Sequence, residues 1–215
     1  MLRSVLVSVS ALLLASSVFA QDAAEAEVTE VVQPTKAEAT TIQPDDHVLG
    51  STDAENELVI YASVTCGHCG AWFTNEWPGV KSDLIESGEL RVAVREFPTA
   101  PEQVAVVGFI IAACGDKERW YEALEAQFEG QDATFAALEA GKGQERFTTL
   151  AASAGVEGEG AIEACFARPE LARRIDTNLR RGIAADIKGV PAFFLNGKEM
   201  GLKHNQADIA KALAN

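Results

Sequence analysis

The chain has 215 residues, 47% of them hydrophobic, and a formal net charge of −14 from 18 basic and 32 acidic side chains. That is enough apolar material for one ordinary core, and the excess of acids argues against nucleic acid or an anionic membrane as a partner. Four cysteines in a chain this long are too sparse for a fold held together by disulfides alone.

The opening stretch MLRSVLVSVSALLLASSVFA carries one early charge, Arg3, then an apolar core that ends in small residues. Val18 and Ala20 fit the small-x-small pattern of a cleaved signal peptide, so residues 1–20 are expected to be removed after Ala20. The apolar run is short for a membrane anchor and no basic stop-transfer flank follows it. No cysteine near Ala20 offers a lipid attachment point. The expectation is an exported, soluble chain in an oxidising compartment. Residues 21–46 have no aromatic side chain, two prolines and scattered acids, which predicts a flexible acidic leader. Val28, Val31 and Val32 give a weaker alternative, a short partner-binding arm. The folded domain is expected over 47–215.

ELVIYASV is a branched, aromatic apolar run that reads as a buried strand. GAWFTNEWPGV then places Trp72, Phe73 and Trp77 at helical spacing, with a stop expected near Pro78 and Gly79. SGELRVAVREFP gives a second strand, with Leu90, Val92 and Val94 alternating against Arg91 and Arg95. From about 101 to 186 the pattern turns helical. Pro101 suits a first helical turn and Gly115 a stop, and apolar stripes run through Trp120, Leu124 and Phe128, through Phe147, Leu150, Ala151 and Ala154, and through Leu171, Ile175 and Leu179. PAFFLNGKEM reads as a hairpin turning at Asn196-Gly197, and NQADIAKALA as a closing helix capped by Asn205.

The chemistry concentrates in TCGHC. Cys66 and Cys69, three residues apart between a strand and a helix, can close a disulfide inside the first helical turn. So short a loop costs little chain entropy to open or close, which suits it poorly to stapling. The unsatisfied N–H groups and dipole of the helix N-terminus favour a Cys66 thiolate, and His68 adds positive charge or a donor. A low thiol pKa stabilises the reduced form and makes the disulfide a better oxidant. Structural zinc would want four ligands, and there is no second close pair, with His47 and His204 far off in sequence. Copper(I) on two thiolates and an inert short-loop disulfide are the remaining readings. Redox chemistry is the expected one, with no metal and no dissociable cofactor.

TCGHC after a strand, together with GVPAFFLNGK near the C-terminus, resembles the thioredoxin superfamily. More narrowly it resembles the DsbA-like exported thiol oxidases, whose α/β thioredoxin fold carries an inserted α-helical domain. The resemblance covers nearly all of Val48 to Leu213. It implies that Cys66 is the attacked and attacking cysteine and Cys69 the buried resolving one. It implies that Pro191 follows a cis bond after Val190, and that Val190 pairs its backbone with an extended substrate. It further implies a periplasmic monomer acting on reduced, folding exported proteins, reoxidised by a DsbB-like membrane partner. Two departures stand out. Gly67 occupies a position where many relatives have proline, which tempers the oxidising power expected of Gly67-His68. Ile60 stands where many relatives bury an acid on the first strand, so no general base is assigned.

Cys114 and Cys165, left over in an exported chain, are expected to pair with each other as a structural disulfide across the helical block. That bond would close a loop of roughly fifty residues and add about 4 kcal/mol by the chain-entropy model. Exchange with the Cys66–Cys69 pair, or two free buried thiols, are the alternatives. The overall reading is a thiol-disulfide oxidoreductase, most simply an oxidase. An isomerase or reductase on the same scaffold is the first alternative, and a non-enzymatic copper or peptide carrier the second.

Overall fold

The architecture follows from one strand that is apolar on both faces. β2 (Asn56–Ala62) buries every residue from Leu58 to Ala62 and sits at the centre of a five-stranded sheet of order β1-β3-β2-β4-β5. β3 (Leu90–Glu96) runs parallel to it, with Ile60 opposite Val94. β4 (Ala192–Leu195) runs antiparallel on its other side, with Ile60 opposite Phe193. β1 (Val48–Leu49) and β5 (Lys198–Glu199) are short edges. Such abbreviated edges leave little open ladder for another chain to join. Asn196 (φ 48°) and Gly197 (φ 76°) make the two-residue turn between β4 and β5, where the left-handed conformation favours these residue types. This computed structural model describes residues 33–215 except Glu159, Lys203 and Asn215. The expected signal peptide 1–20 and residues 21–32 of the expected leader lie outside the described residues.

Alternation along β2 separates two cores. Leu58, Ile60 and Ala62 face a large aromatic cluster with Trp72, Phe73, Trp77, Phe109, Phe128 and Phe193. Phe73 and Phe128 stack there at 4.0 Å between ring centroids. Val59 and Tyr61 face a smaller cluster with Ala39, Ala185 and Phe194. The first cluster is roofed by α2 (Gly67–Asn75) and by the helical block between β3 and β4. That block comprises α4 (Glu102–Cys114), α5 (Trp120–Glu129), α6 (Gln131–Glu139), α7 (Gly143–Ser153), α8 (Ala161–Phe166) and α9 (Pro169–Ala184). The helical insertion expected over about 101–186 occupies those positions. α10 (Gln206–Leu213) closes the chain, and the Asn205 side chain accepts from the Asp208 N–H at 2.8 Å as its cap.

Two expectations are corrected. The helix after the cysteines does not stop at Pro78 and Gly79. α3 (Trp77–Gly79) follows α2 directly and leads into a π-helical turn over Val80–Ile85. Proline is tolerated where a helical segment begins, because its missing N–H has no intrahelical acceptor there. Gly79 serves close packing instead: a Cβ on it would meet the Gln206 side chain of α10 at 3.2 Å.

The second correction concerns the acidic leader, whose boundary at residue 46 is too late. Residues 33–46 fold onto the sheet, with α1 (Lys36–Thr40) opened by a reciprocal Thr35–Glu38 capping box. The cause is Arg95, which alternation placed opposite the apolar face and which is wholly buried. Its guanidinium forms a bidentate pair with Asp46 (3.0 and 2.7 Å) and donates to the carbonyls of Glu38, Ala39 and Thr41. It also donates to the Tyr61 hydroxyl at 2.9 Å. A buried charge must be paired and fully hydrogen-bonded, and here the supposed leader supplies the partners.

Candidate active site

The strand end, the helix start and one loop from the far side of the sheet converge on Cys66. β2 ends at Ala62, and the Cys66 N–H then donates to the Ser63 carbonyl at 3.0 Å, turning the chain into α2. Cys66 is the N-cap residue of α2, in extended conformation (φ −87°, ψ 116°), and its carbonyl accepts the first helical hydrogen bond from the Gly70 N–H at 3.0 Å. Its sulfur is half-buried, whereas Cys69 is fully buried within the aromatic core and both are free thiols. Gly67 and His68 lie exposed between them. One thiol therefore meets solvent and the other lies behind it.

Val190–Pro191 is a cis peptide bond, and the Cys66 thiol donates to the Val190 carbonyl at 3.3 Å. The sequence-selected residues Cys66, Gly67, His68, Val190 and Pro191 thus come together at one corner of the fold, with Cys69 buried behind Cys66. Cys114 and Cys165 do not belong to it. They are joined by a disulfide between the last residue of α4 and the penultimate residue of α8, across 51 residues of chain.

The electrostatics of the two free thiols diverge. Cys66 is held down to about 6, first by a hydrogen bond from the Cys69 thiol, then by the backbone N–H groups of Cys69 and His68 and the charge of His68. Partial burial opposes this without cancelling it. The N–H donors are the unsatisfied first-turn groups that any helix offers an anion. Cys69 is pushed far up, first by burial and then by the neighbouring Cys66 sulfur. Ile60, in the same apolar cluster as Cys69 and completely buried, contributes no ionisable group. Near neutral pH the reduced pair therefore holds one thiolate, on the accessible sulfur.

Residues that the sequence did not single out hold this corner in place. The Thr65 hydroxyl donates to the Thr99 carbonyl at 2.9 Å, and the Thr99 N–H donates to the Ser63 hydroxyl oxygen at 3.1 Å. The Phe97 N–H donates to the Ala62 carbonyl at 2.9 Å, so the loop after β3 is stitched to the loop carrying Cys66. Gln131, buried at the start of α6, donates to the carbonyls of Val64 (2.8 Å) and Cys66 (3.2 Å). One signal for Gln131 was present in the sequence. Gln127 and Gln131 sit four residues apart, beside the core positions Leu124 and Phe128, where a solvent-facing polar pair would not be placed.

Among the described residues no group of three or more His, Cys, Asp or Glu is placed to share a metal ion. Also among the described residues, no helix is long and apolar enough to cross a membrane.

A central parallel β2–β3 pair, an antiparallel β4 and a paired-cysteine helix start define the thioredoxin class of redox folds, here with an inserted helical domain. The family model described as Thioredoxin matches residues 42–215, and the chain belongs to that family. A Rickettsia typhi protein provisionally named as a protein-disulfide oxidoreductase is 27% identical over 184 residues, covering 84% of this chain and 64% of its own length. Its Rickettsia felis counterpart is 25% identical, covering 74% and 56%. A Na(+)/H(+) antiporter NhaA of Herminiimonas arsenicoxydans is 28% identical over 168 residues, 78% of this chain but only 25% of the antiporter. The chain thus spans between a quarter and about two thirds of these relatives. Among solved structures, Wolbachia pipientis alpha-DsbA1 superposes with a TM-score of 0.71 at 21% identity, over 84% of this chain and 94% of that one. Oxidised BdbD from Bacillus subtilis gives 0.67 at 18%, over 81% and 96%. At these identities the likeness is one of fold.

Proposed function

We propose that this protein is an exported, periplasmic thiol-disulfide oxidase that donates the Cys66–Cys69 disulfide to folding proteins. The observation that carries this reading is the asymmetry of the pair: an accessible sulfur held to about 6 at a helix N-terminus, and a buried one pushed up. In the first step a substrate thiolate attacks Cys66 Sγ, the Cys66–Cys69 bond breaks, and Cys69 leaves with the electron pair and takes a proton. In the second step another substrate thiolate attacks the substrate sulfur of the mixed disulfide and expels the Cys66 thiolate. The substrate gains a disulfide, and the protein keeps the two electrons. Cys66 is the better leaving group because its thiolate is the more stable, which drives the second step forward.

Once Cys66 is in disulfide or thiolate form, the Val190 carbonyl no longer receives its S–H and is open to an N–H of an extended substrate backbone. That arrangement would recognise a peptide by its main chain rather than its side chains, as suits many unfolded substrates. A monomer reoxidised by a DsbB-like membrane partner completes the cycle.

The test is the redox equilibrium of Cys66–Cys69 against glutathione, with Cys114–Cys165 intact. A potential of about −120 to −180 mV, the range of disulfide donors and isomerases, supports oxidation of substrates. A value near −270 mV, the thioredoxin range, overturns it in favour of a reductase.

A further inference from the structure

Gln131 belongs to the helical insertion, yet its side chain ends at the redox loop. The corner that carries it is itself fixed. The Arg146 guanidinium of α7 donates to the Gly130 carbonyl and to the Thr134 hydroxyl, both at 3.0 Å, tying the start of α6 to the next helix. From that anchored corner the Gln131 amide nitrogen divides its two hydrogens between the carbonyls of Val64 and Cys66. Its amide oxygen lies against α2: a Cβ on Gly70 would sit 2.7 Å from it. The glycine therefore lets the amide lie flat against the first turn of α2, directly after Cys69.

We propose that Gln131 is a positioning residue for thiol exchange, a strut by which the helical insertion sets the backbone at 64–66 and the reactivity of the Cys66 sulfur. The inference rests on Cys66 being the attacking and attacked sulfur. The Cys66 carbonyl accepts from both Gln131 and the Gly70 N–H, so the strut fixes the tilt of the turn whose His68 and Cys69 N–H groups face the sulfur. A donor on that carbonyl also polarises the Cys66–Gly67 peptide, strengthening the chain of dipoles that stabilises a thiolate. The Val64 residue is buried, so its carbonyl depends on Gln131 in place of water.

Gln127, one turn earlier, supplies an internal control. It is equally buried and its amide donates to the Gly108 carbonyl at 2.8 Å, within the insertion and not to the redox loop. The experiment compares Gln131→Met with Gln127→Met in the full chain. It reads thiolate absorbance against pH, iodoacetamide alkylation of the reduced protein at pH 6, and thermal melting. Methionine fills the space without donating a hydrogen bond. Gln131→Met is expected to raise the Cys66 midpoint by about one unit and slow alkylation at pH 6 about fivefold. Gln127→Met is expected to lower the melting temperature and leave the Cys66 midpoint in place. Should Gln131→Met fail to fold, Gly70→Ala displaces the same amide by its Cβ and should shift the midpoint in the same direction. An unchanged midpoint in a folded Gln131 or Gly70 variant overturns the proposal, and so does an equal shift in Gln127→Met. A wild-type chain that exchanges disulfides with glutathione but has a potential in the thioredoxin range would overturn the oxidase reading and leave the positioning role standing.

Discussion

The two cysteine pairs make opposite uses of the same chemistry. Cys66 and Cys69 lie three residues apart at a helix start, one half-buried and one buried, and are free. Cys114 and Cys165 are 51 residues apart, bonded, and placed in the last turns of α4 and α8. Separation along the chain sets the entropic part of the difference. By the chain-entropy model, opening the short loop releases about half as much chain freedom as opening the long one. The helix ends set the electrostatic part. Cys66 meets the N–H end of a helix dipole, which favours a thiolate, and Cys114 meets the carbonyl end, which disfavours one. Arg168 partly offsets this by donating to the Cys114 carbonyl at 2.9 Å. The proposed redox pair and the clasp thus differ in where a helix begins and how far the chain travels.

The largest effect that would sharpen the contrast is chemical. Cys66→Ser is expected to abolish oxidation of a reduced two-cysteine peptide, and reduced Cys69→Ser, whose Cys66 thiolate attacks the disulfide form of that peptide and finds no resolving thiol behind it, to accumulate a mixed disulfide, visible by non-reducing gel and mass. Turnover surviving in Cys66→Ser would break the comparison at its base. Next comes stability. The double variant Cys114→Ala/Cys165→Ala should lose about 4 kcal/mol in urea unfolding while its Cys66 titration stays put. A moved titration would show the clasp reaching the redox site.

The pH dependence follows from the lowered Cys66 value. In the unfolded chain this thiol titrates near 9.0, in the fold near about 6, so the folded reduced protein is favoured by the thiolate. That stabilisation is complete above pH 9, declines as pH falls, and is gone below about 6. The raised Cys69 acts in the opposite sense and only above its unfolded value, so it flattens the gain at alkaline pH. Because the oxidised protein has neither titration, the midpoint difference between reduced and oxidised protein in urea should grow from pH 6 to pH 9. A constant difference would contradict the assignment. The smallest effect concerns the loop stitch: Thr65→Val removes the hydrogen bond to the Thr99 carbonyl and should cost about 1 kcal/mol of stability, with exchange largely retained.

Much of the site was legible because its members are neighbours in sequence. A strand-to-helix junction, a paired cysteine and a dipole argument need only the dozen residues around Cys66. The apolar stripes at Trp120, Leu124 and Phe128 likewise placed a buried helix face without reference to anything else. The errors came where a residue's partner is distant. Arg95 read as an outward charge on an alternating strand, and residues 33–46 as unstructured, because each was judged alone. Together they are a buried ion pair and its wrapping, 49 residues apart. Pro78 and Gly79 read as a stop, yet neighbouring helices use one as a helix start and the other for close approach.

By itself the sequence determined the closely spaced cysteine pair at a helix start, the order of the larger strands and helices from β2 onward, and the residues available to form a second, long-loop disulfide. Those features depend on local spacing, side-chain periodicity and residue type, which act over a few positions. Only the tertiary structure decided that the Val190 carbonyl faces Cys66 across 124 residues, and that Gln131 braces the redox loop across 65. It also decided that a stretch with the composition of a tail covers Arg95. Hydrogen bonds of that kind are specified by packing, which brings donors and acceptors within 3 Å or so only after the cores on both faces of the sheet have closed.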